Sequence, residues 1–220
     1  MKIDYQKLSP NHSGKRTHVI DRITPHCVVG QLSVEQLGEI FHNPKRKASC
    51  QYGIGSDGRI GQYLEEEKRS WCSSSNENDQ RAITIECASD TKPPYAFKDV
   101  VYEKLIELCV DICRRYNKTK LLWLADRAKA IAYKPNYGEM ILTVHRWFAA
   151  KSCPGDWLYS RMGDLASKVT RQLNYFYRVR KSWEDINSQI GAFTSLENAK
   201  ATAALHEGYF VFDENGEKIA

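Results

Sequence analysis

Hydrophobic and polar positions along the 220-residue chain switch repeatedly between a period of two and a helical period. Residues 17–23 (Thr-His-Val-Ile-Asp-Arg-Ile) read as a strand that stops before Pro25. Val34, Leu37, Ile40 and Phe41 then recur at helical spacing behind Ser33-Val-Glu-Gln36, a capping-box sequence, so a short amphipathic helix is predicted there. Residues 51–60 read as strand, Asp57-Gly58 turn and strand. A polar loop is expected over 72–80, followed by a strand over 82–87 with Ile83 and Ile85 on one face and Thr84 and Glu86 on the other. Residues 98–116 carry the clearest helical stripe: Val101, Leu105, Leu108, Cys109, Ile112 and Tyr116. Residues 119–140 show little beyond a turn at Pro135-Asn-Tyr-Gly138. Met140 to His145 reads as a strand with His145 on the face of Ile141 and Thr143, and Trp157 to Leu173 as one helix. Strands alternating with helices predict an α/β fold with a mixed central sheet flanked by helices.

From Tyr175 the pattern restarts. Residues 175–183 read as a strand, 195–205 as a serine-capped helix and 208–216 as a strand and turn, a small βαβ module of about 45 residues. The expected organisation is a domain over residues 1–173 and a module over 175–220, joined by a short stiff link at Asn174.

Composition narrows the class. Hydrophobic residues make up 42% of the chain and charged residues 27%, which suits a soluble protein with a real core. No stretch reaches the ~20 apolar residues of a membrane span, so no membrane insertion is expected. The first ten residues lack the apolar run of a secretory signal, so synthesis in a reducing cytoplasm is expected, with export by another route. Seven cysteines form no disulfide framework, and Cys109 and Cys113 fall inside the helical stripe and are expected to pack there. Residues 176–220 carry five Lys+Arg against seven Asp+Glu, whereas the remainder carries 27 against 20. That basic front portion suits a polyanion such as an anionic cell wall; no basic run is dense enough to make nucleic acid the expected partner.

The candidate chemistry lies in Thr143 to Gly155. His145 and Cys153 stand eight residues apart, with Lys151 two residues before the thiol. Imidazole and thiolate form a ligand pair that Zn²⁺ favours, and a nearby ammonium stabilises an oxyanion. A further ligand must come from elsewhere. Among the other histidines, His26 follows a strand at the kind of strand end where α/β proteins build sites; His18, in the approach to it, is the rival. Cys153 could instead be a nucleophile, but Pro154 follows it and no helix begins there, which leaves that thiol poorly activated.

In order along the chain stand His26-Cys27 after a strand, the Tyr52-to-Gly58 hairpin, Ser70-Trp71, Ile83-Thr-Ile-Glu86 and His145…Lys151-Ser-Cys153-Pro-Gly155. That series resembles zinc-dependent N-acetylmuramoyl-L-alanine amidases, which share a fold with peptidoglycan recognition proteins and include many phage endolysins. The resemblance spans roughly residues 15–165, and its specific part is the spacing of His145, Lys151 and Cys153. It implies one Zn²⁺ held by His26, His145 and Cys153. It implies Glu86 as the acid–base residue, Lys151 as the stabiliser of the transition state and Trp71 as a groove-lining aromatic. The implied substrate is bacterial peptidoglycan, cut between N-acetylmuramic acid and L-alanine by a cytoplasmically made enzyme released to the wall, as in phage lysis. Two positions depart from the family: Cys50 stands where some members carry tyrosine, and Cys72 where many carry histidine after the groove tryptophan. The first assigns proton handling to Glu86; the second bears on groove contacts and leaves the metal set intact. A non-catalytic peptidoglycan-binding protein on the same fold is the competing reading. Tyr177-Arg-Val-Arg, Gln189 to Phe193, Leu196 to Ala199 and Gly208 to Asp213 resemble SPOR-like wall-binding modules.

Overall fold

The computed structural model describes residues 1–220, which form two compact units, Met1–Thr170 and Arg171–Ala220. The first begins with β1 (Tyr5–Gln6), β2 (Arg22–Cys27) and α1 (Val34–His42), then a 3-10 turn at Pro44–Arg46. The hairpin β3 (Tyr52–Ile54) and β4 (Ile60–Gln62) follows, then α2 (Asn76–Arg81), β5 (Ala82–Cys87) and α3 (Asp99–Arg115). Next come β6 (Lys120–Leu122), α4 (Arg127–Ala132), β7 (Glu139–Leu142), a 3-10 turn at His145–Trp147, α5 (Asp156–Tyr159) and α6 (Met162–Leu173). The seven strands make one mixed sheet in the order β1-β4-β3-β5-β2-β7-β6, with only the β3–β4 pair antiparallel. This is the α/β architecture that the alternating pattern predicts.

The capping box of α1 forms as written: Gln36 N–H donates to Ser33 Oγ and Ser33 N–H to Gln36 Oε1. In α3, Val101, Leu105, Leu108, Cys109 and Ile112 are wholly buried, each large side chain adding about 1.5–3 kcal/mol of hydrophobic stabilisation. Cys109 and Cys113 pack in that interior, and all seven cysteines are free thiols.

Several elements differ from the sequence reading. The strand expected over 17–23 lies at Arg22–Cys27 and runs through Pro25, because β5 begins opposite Arg22 and β7 pairs with it only from Ile141. Pro25 is tolerated because β7 pairs only as far as Ile23, so the missing N–H falls on the side that β7 has left. The second half of the 72–80 loop is helical, since Ser75 caps α2 by accepting from Asn78 N–H. The strand before His145 ends at Leu142, and His145 opens a 3-10 turn instead. The single helix expected over 157–173 is broken between Tyr159 and Met162, although Leu158, Met162, Leu165 and Val169 are all buried as its stripe implied.

In the second unit β8 (Tyr177–Arg180), β9 (Gly191–Phe193) and β10 (Phe210–Phe212) form an antiparallel sheet of order β10-β8-β9, with α7 (Leu196–Ala204) between β9 and β10 in the chain. It is therefore not the simple βαβ unit expected: a third strand, too short to show a period, lies between β8 and α7. Val179, Ala199 and Val211 form its buried centre, and Ser195 caps α7. No helix of the protein is long and apolar enough to cross a membrane.

Candidate active site

A closed ring of buried hydrogen bonds ties together the elements beneath the site. Thr143 Oγ1 donates to Asn78 Oδ1 (3.0 Å) and Asn78 Nδ2 donates to Thr24 Oγ1 (3.0 Å). Thr24 Oγ1 must therefore donate to Thr143 Oγ1, 2.7 Å away. All three side chains are fully buried, so each bond avoids the cost of an unpaired polar group and links β2, α2 and the chain leaving β7.

Two residues beyond Thr24, and two beyond Thr143, come His26 and His145. Their rings are 5.1 Å apart, edge to face. Cys153 arrives from the following loop, with Sγ 3.2 Å from His26 Nδ1. One ligand atom from each of these three residues lies within 4.8 Å of the others. His26 is 1% exposed, and burial, reinforced by the neighbouring His145, drives its pKa down to about 3. Burial and the Lys151 charge lower that of His145 as well. Both imidazoles are therefore neutral at physiological pH, the form that binds metals. The Cys153 thiol is pushed up by its hydrogen bond with Cys27 and by burial, so it needs a cation to become thiolate. Two neutral imidazoles and one thiol suit a tetrahedral divalent ion of Zn²⁺ type with one position left open.

Glu86 lies beside this set on β5, with Oε1 3.9 Å from His26 Nδ1, while its Oε2 is buried without a hydrogen-bond partner. Burial pushes its pKa up to about 7, against the opposing charge of Arg46. A carboxyl with a free oxygen and such a pKa can exchange protons near neutrality. These groups line a cleft of about 630 Å³, together with Trp71, Ser74, Arg46, Lys47 and Lys151.

All six residues singled out in the sequence (His26, Trp71, Glu86, His145, Lys151 and Cys153) reach this one cleft. His18 does not: it is exposed, bonded to Thr17 Oγ1 and lines a different cavity. Trp71 is partly structural, since its indole N–H donates to Ser13 Oγ at 2.7 Å. The sequence reading missed Ser74, whose Oγ is 3.0 Å from His145 Nε2, and gave Cys72 no place at the metal set, although its Sγ is 3.4 Å from His26 Nε2. It also passed over Arg46 and Lys47, for which the basic triplet after Asn43-Pro44 was the available signal.

Comparison with known proteins bears on the fold and the family. No curated protein matches by sequence. Among solved structures, a mutant endolysin from Bacillus subtilis superposes with a TM-score of 0.55 at 16% identity, over 76% of this chain and 99% of that one. The N-acetylmuramoyl-L-alanine amidase LysC from Clostridium intestinale URNW gives 0.52 at 15% identity, over 79% and 98%. A selenomethionine AmpD derivative gives 0.51 at 19% identity, over 76% and 99%. At these identities the likeness is one of fold. The sequence pattern of the N-acetylmuramoyl-L-alanine amidase family matches residues 16–156, most of the chain and all of the cleft, and the protein belongs to that family.

Proposed function

We propose that the protein hydrolyses the amide joining the lactyl group of N-acetylmuramic acid to L-alanine in bacterial peptidoglycan, with one Zn²⁺ held by His26, His145 and Cys153. When bound, the ion supplies a Lewis acid that acidifies water and polarises the scissile carbonyl. Glu86 accepts the proton of the attacking water and returns it to the leaving amine. Lys151, exposed at the rim, offers its ammonium to the developing oxyanion. Trp71 gives the groove an aromatic wall for the substrate.

The observation that carries this reading is the convergence of two neutral imidazoles and a thiol beside a carboxylate oxygen with no other partner. The enzyme acts on the wall after release from the cytoplasm, as an endolysin does. Residues 175–220 serve as a wall-binding module; half-buried Trp183, with the half-buried Arg178 5.9 Å from its ring centre, gives it an aromatic and cationic contact for sugars.

The test is to measure bound zinc and then the release of L-alanine amino termini from purified cell walls, before and after chelation. Zinc with chelator-sensitive cleavage is expected. Zinc without cleavage would make the protein a binder on an amidase fold, and cleavage indifferent to chelation would make Cys153 the nucleophile.

A further inference from the structure

One short loop touches both histidines of the cleft. Asp79, near the middle of α2, pins it: the carboxylate accepts Cys72 N–H (3.2 Å), Ser73 N–H (3.1 Å) and the Ser73 hydroxyl (2.6 Å). Ser74 follows in the left-handed region at φ 62°. From this frame Cys72 Sγ comes within 3.4 Å of His26 Nε2, and Ser74 Oγ within 3.0 Å of His145 Nε2. Both contacts are made to Nε2. On the opposite side of the His26 ring, Nδ1 faces Cys153 Sγ at 3.2 Å.

A neutral imidazole carries one N–H and one lone pair, so the nitrogen that donates to the loop leaves the other free to bind a cation. Sulfur and hydroxyl oxygen can both accept from a ring N–H. The Cys72 thiol can accept from His26 and still direct its own S–H towards Glu86 Oε1, 3.9 Å away. The loop thus reaches both imidazoles and the carboxylate at once.

We propose that Cys72 and Ser74 are positioning residues that hold His26 and His145 in the Nε2–H tautomer, leaving the Nδ1 lone pair of each ring for the metal. The final clause rests on the zinc reading above; the tautomer assignment does not. Partners of this kind orient metal-binding histidines and typically change metal affinity by about 10- to 100-fold when removed.

The test uses the full-length, metal-free protein with ¹⁵N-labelled histidine, and reads the tautomer of each ring by long-range ¹H–¹⁵N NMR. Both rings should be Nε2–H in the unmodified protein. Cys72→Ala should raise the Nδ1–H population of His26 alone, and Ser74→Ala that of His145 alone, while Cys72→Ser restores the His26 pattern. Chelator competition should show zinc affinity about 10- to 100-fold weaker for each alanine variant, with most of it recovered in Cys72→Ser. Unchanged tautomers with unchanged affinity overturn the proposal. So does a shift of both rings together in each variant, which marks a general loosening of the loop. Ser74 is exposed, so Ser74→Ala tests the idea at His145 even if Cys72→Ala fails to fold. A protein that binds no zinc at all would defeat the zinc reading, while the ring patterns would still decide this one.

Discussion

His26 and Glu86 are direct partners in the register of the parallel strands β2 and β5, and their side chains meet with 3.9 Å between Nδ1 and Oε1. Sixty residues of sequence separate them. Because side chains alternate faces along a strand, a slip of one residue in this pairing would send the carboxyl away from the imidazole. The central sheet therefore sets the relation between the candidate ligand and the candidate base.

Glu86→Gln keeps the shape of that side chain but removes its basicity. Wall cleavage should fall about 10²- to 10⁴-fold, while zinc content and the circular dichroism spectrum stay as they were. Cleavage within a few-fold of the unmodified enzyme would remove Glu86 from the mechanism.

The same carboxyl sets a pH dependence of stability in the metal-free protein. Burial raises its pKa from 4.5 to about 7, so between those values the folded form binds the proton that the unfolded chain releases. Stability therefore falls as pH rises: the cost is absent below the unfolded value and complete above about 7. With the side chain only 15% exposed, the full cost is about 3 kcal/mol. Denaturant titrations should show Glu86→Gln matching the unmodified protein near pH about 4 and exceeding it by about that amount above neutrality. A constant difference across the range would contradict the burial of this charge.

Lys151→Ala should lower kcat about 10²- to 10³-fold with KM little changed, since an oxyanion partner acts mainly in the transition state. The residue is exposed, so the melting temperature and zinc content should not move. A rise in KM alone would make Lys151 a substrate-binding group.

Zinc should stabilise the fold. Free ion at 100 times its dissociation constant adds about 3 kcal/mol by mass action, seen as a melting temperature that drops on chelation. Cys153→Ala should abolish the drop, because one of the three converging donors is then missing. A variant that still responds fully to chelation would place the ion elsewhere.

Gly155 links the fold to the site. Its φ of +83° and ψ of 156° lie in a region nearly restricted to glycine, and a Cβ there would meet Pro94 O at 2.8 Å and Tyr95 Cβ at 2.9 Å. Gly155→Ala should cost about 1–3 kcal/mol in denaturant unfolding and also weaken zinc binding by displacing Cys153, two residues earlier. Unaltered zinc affinity in a destabilised protein would show that the Cys153 loop is held independently.

Elements with a clean local period were legible directly: α1 with its capping box, the β3–β4 hairpin with its Asp-Gly turn, β5 and the long α3. Elements that depend on distant partners were not. β2 passes through Pro25 because of where β7 stops pairing, α2 forms in a polar stretch because Ser75 caps it and Asn78 and Asp79 are buried, and β9 is three residues long. His145 belongs to a turn because β7 ends at Leu142.

The chain itself dictated which chemistry is present: the histidines, the thiol with its lysine two residues before it, and the glutamate on the polar face of β5. These are matters of residue type and local spacing, which a linear reading contains. Their convergence, the raised pKa of Glu86 and the contacts of Cys72 and Ser74 with the two rings arise from parallel strand register and from burial. Both depend on residues dozens of positions apart meeting in space, and no local pattern of hydrophobic and polar residues encodes that.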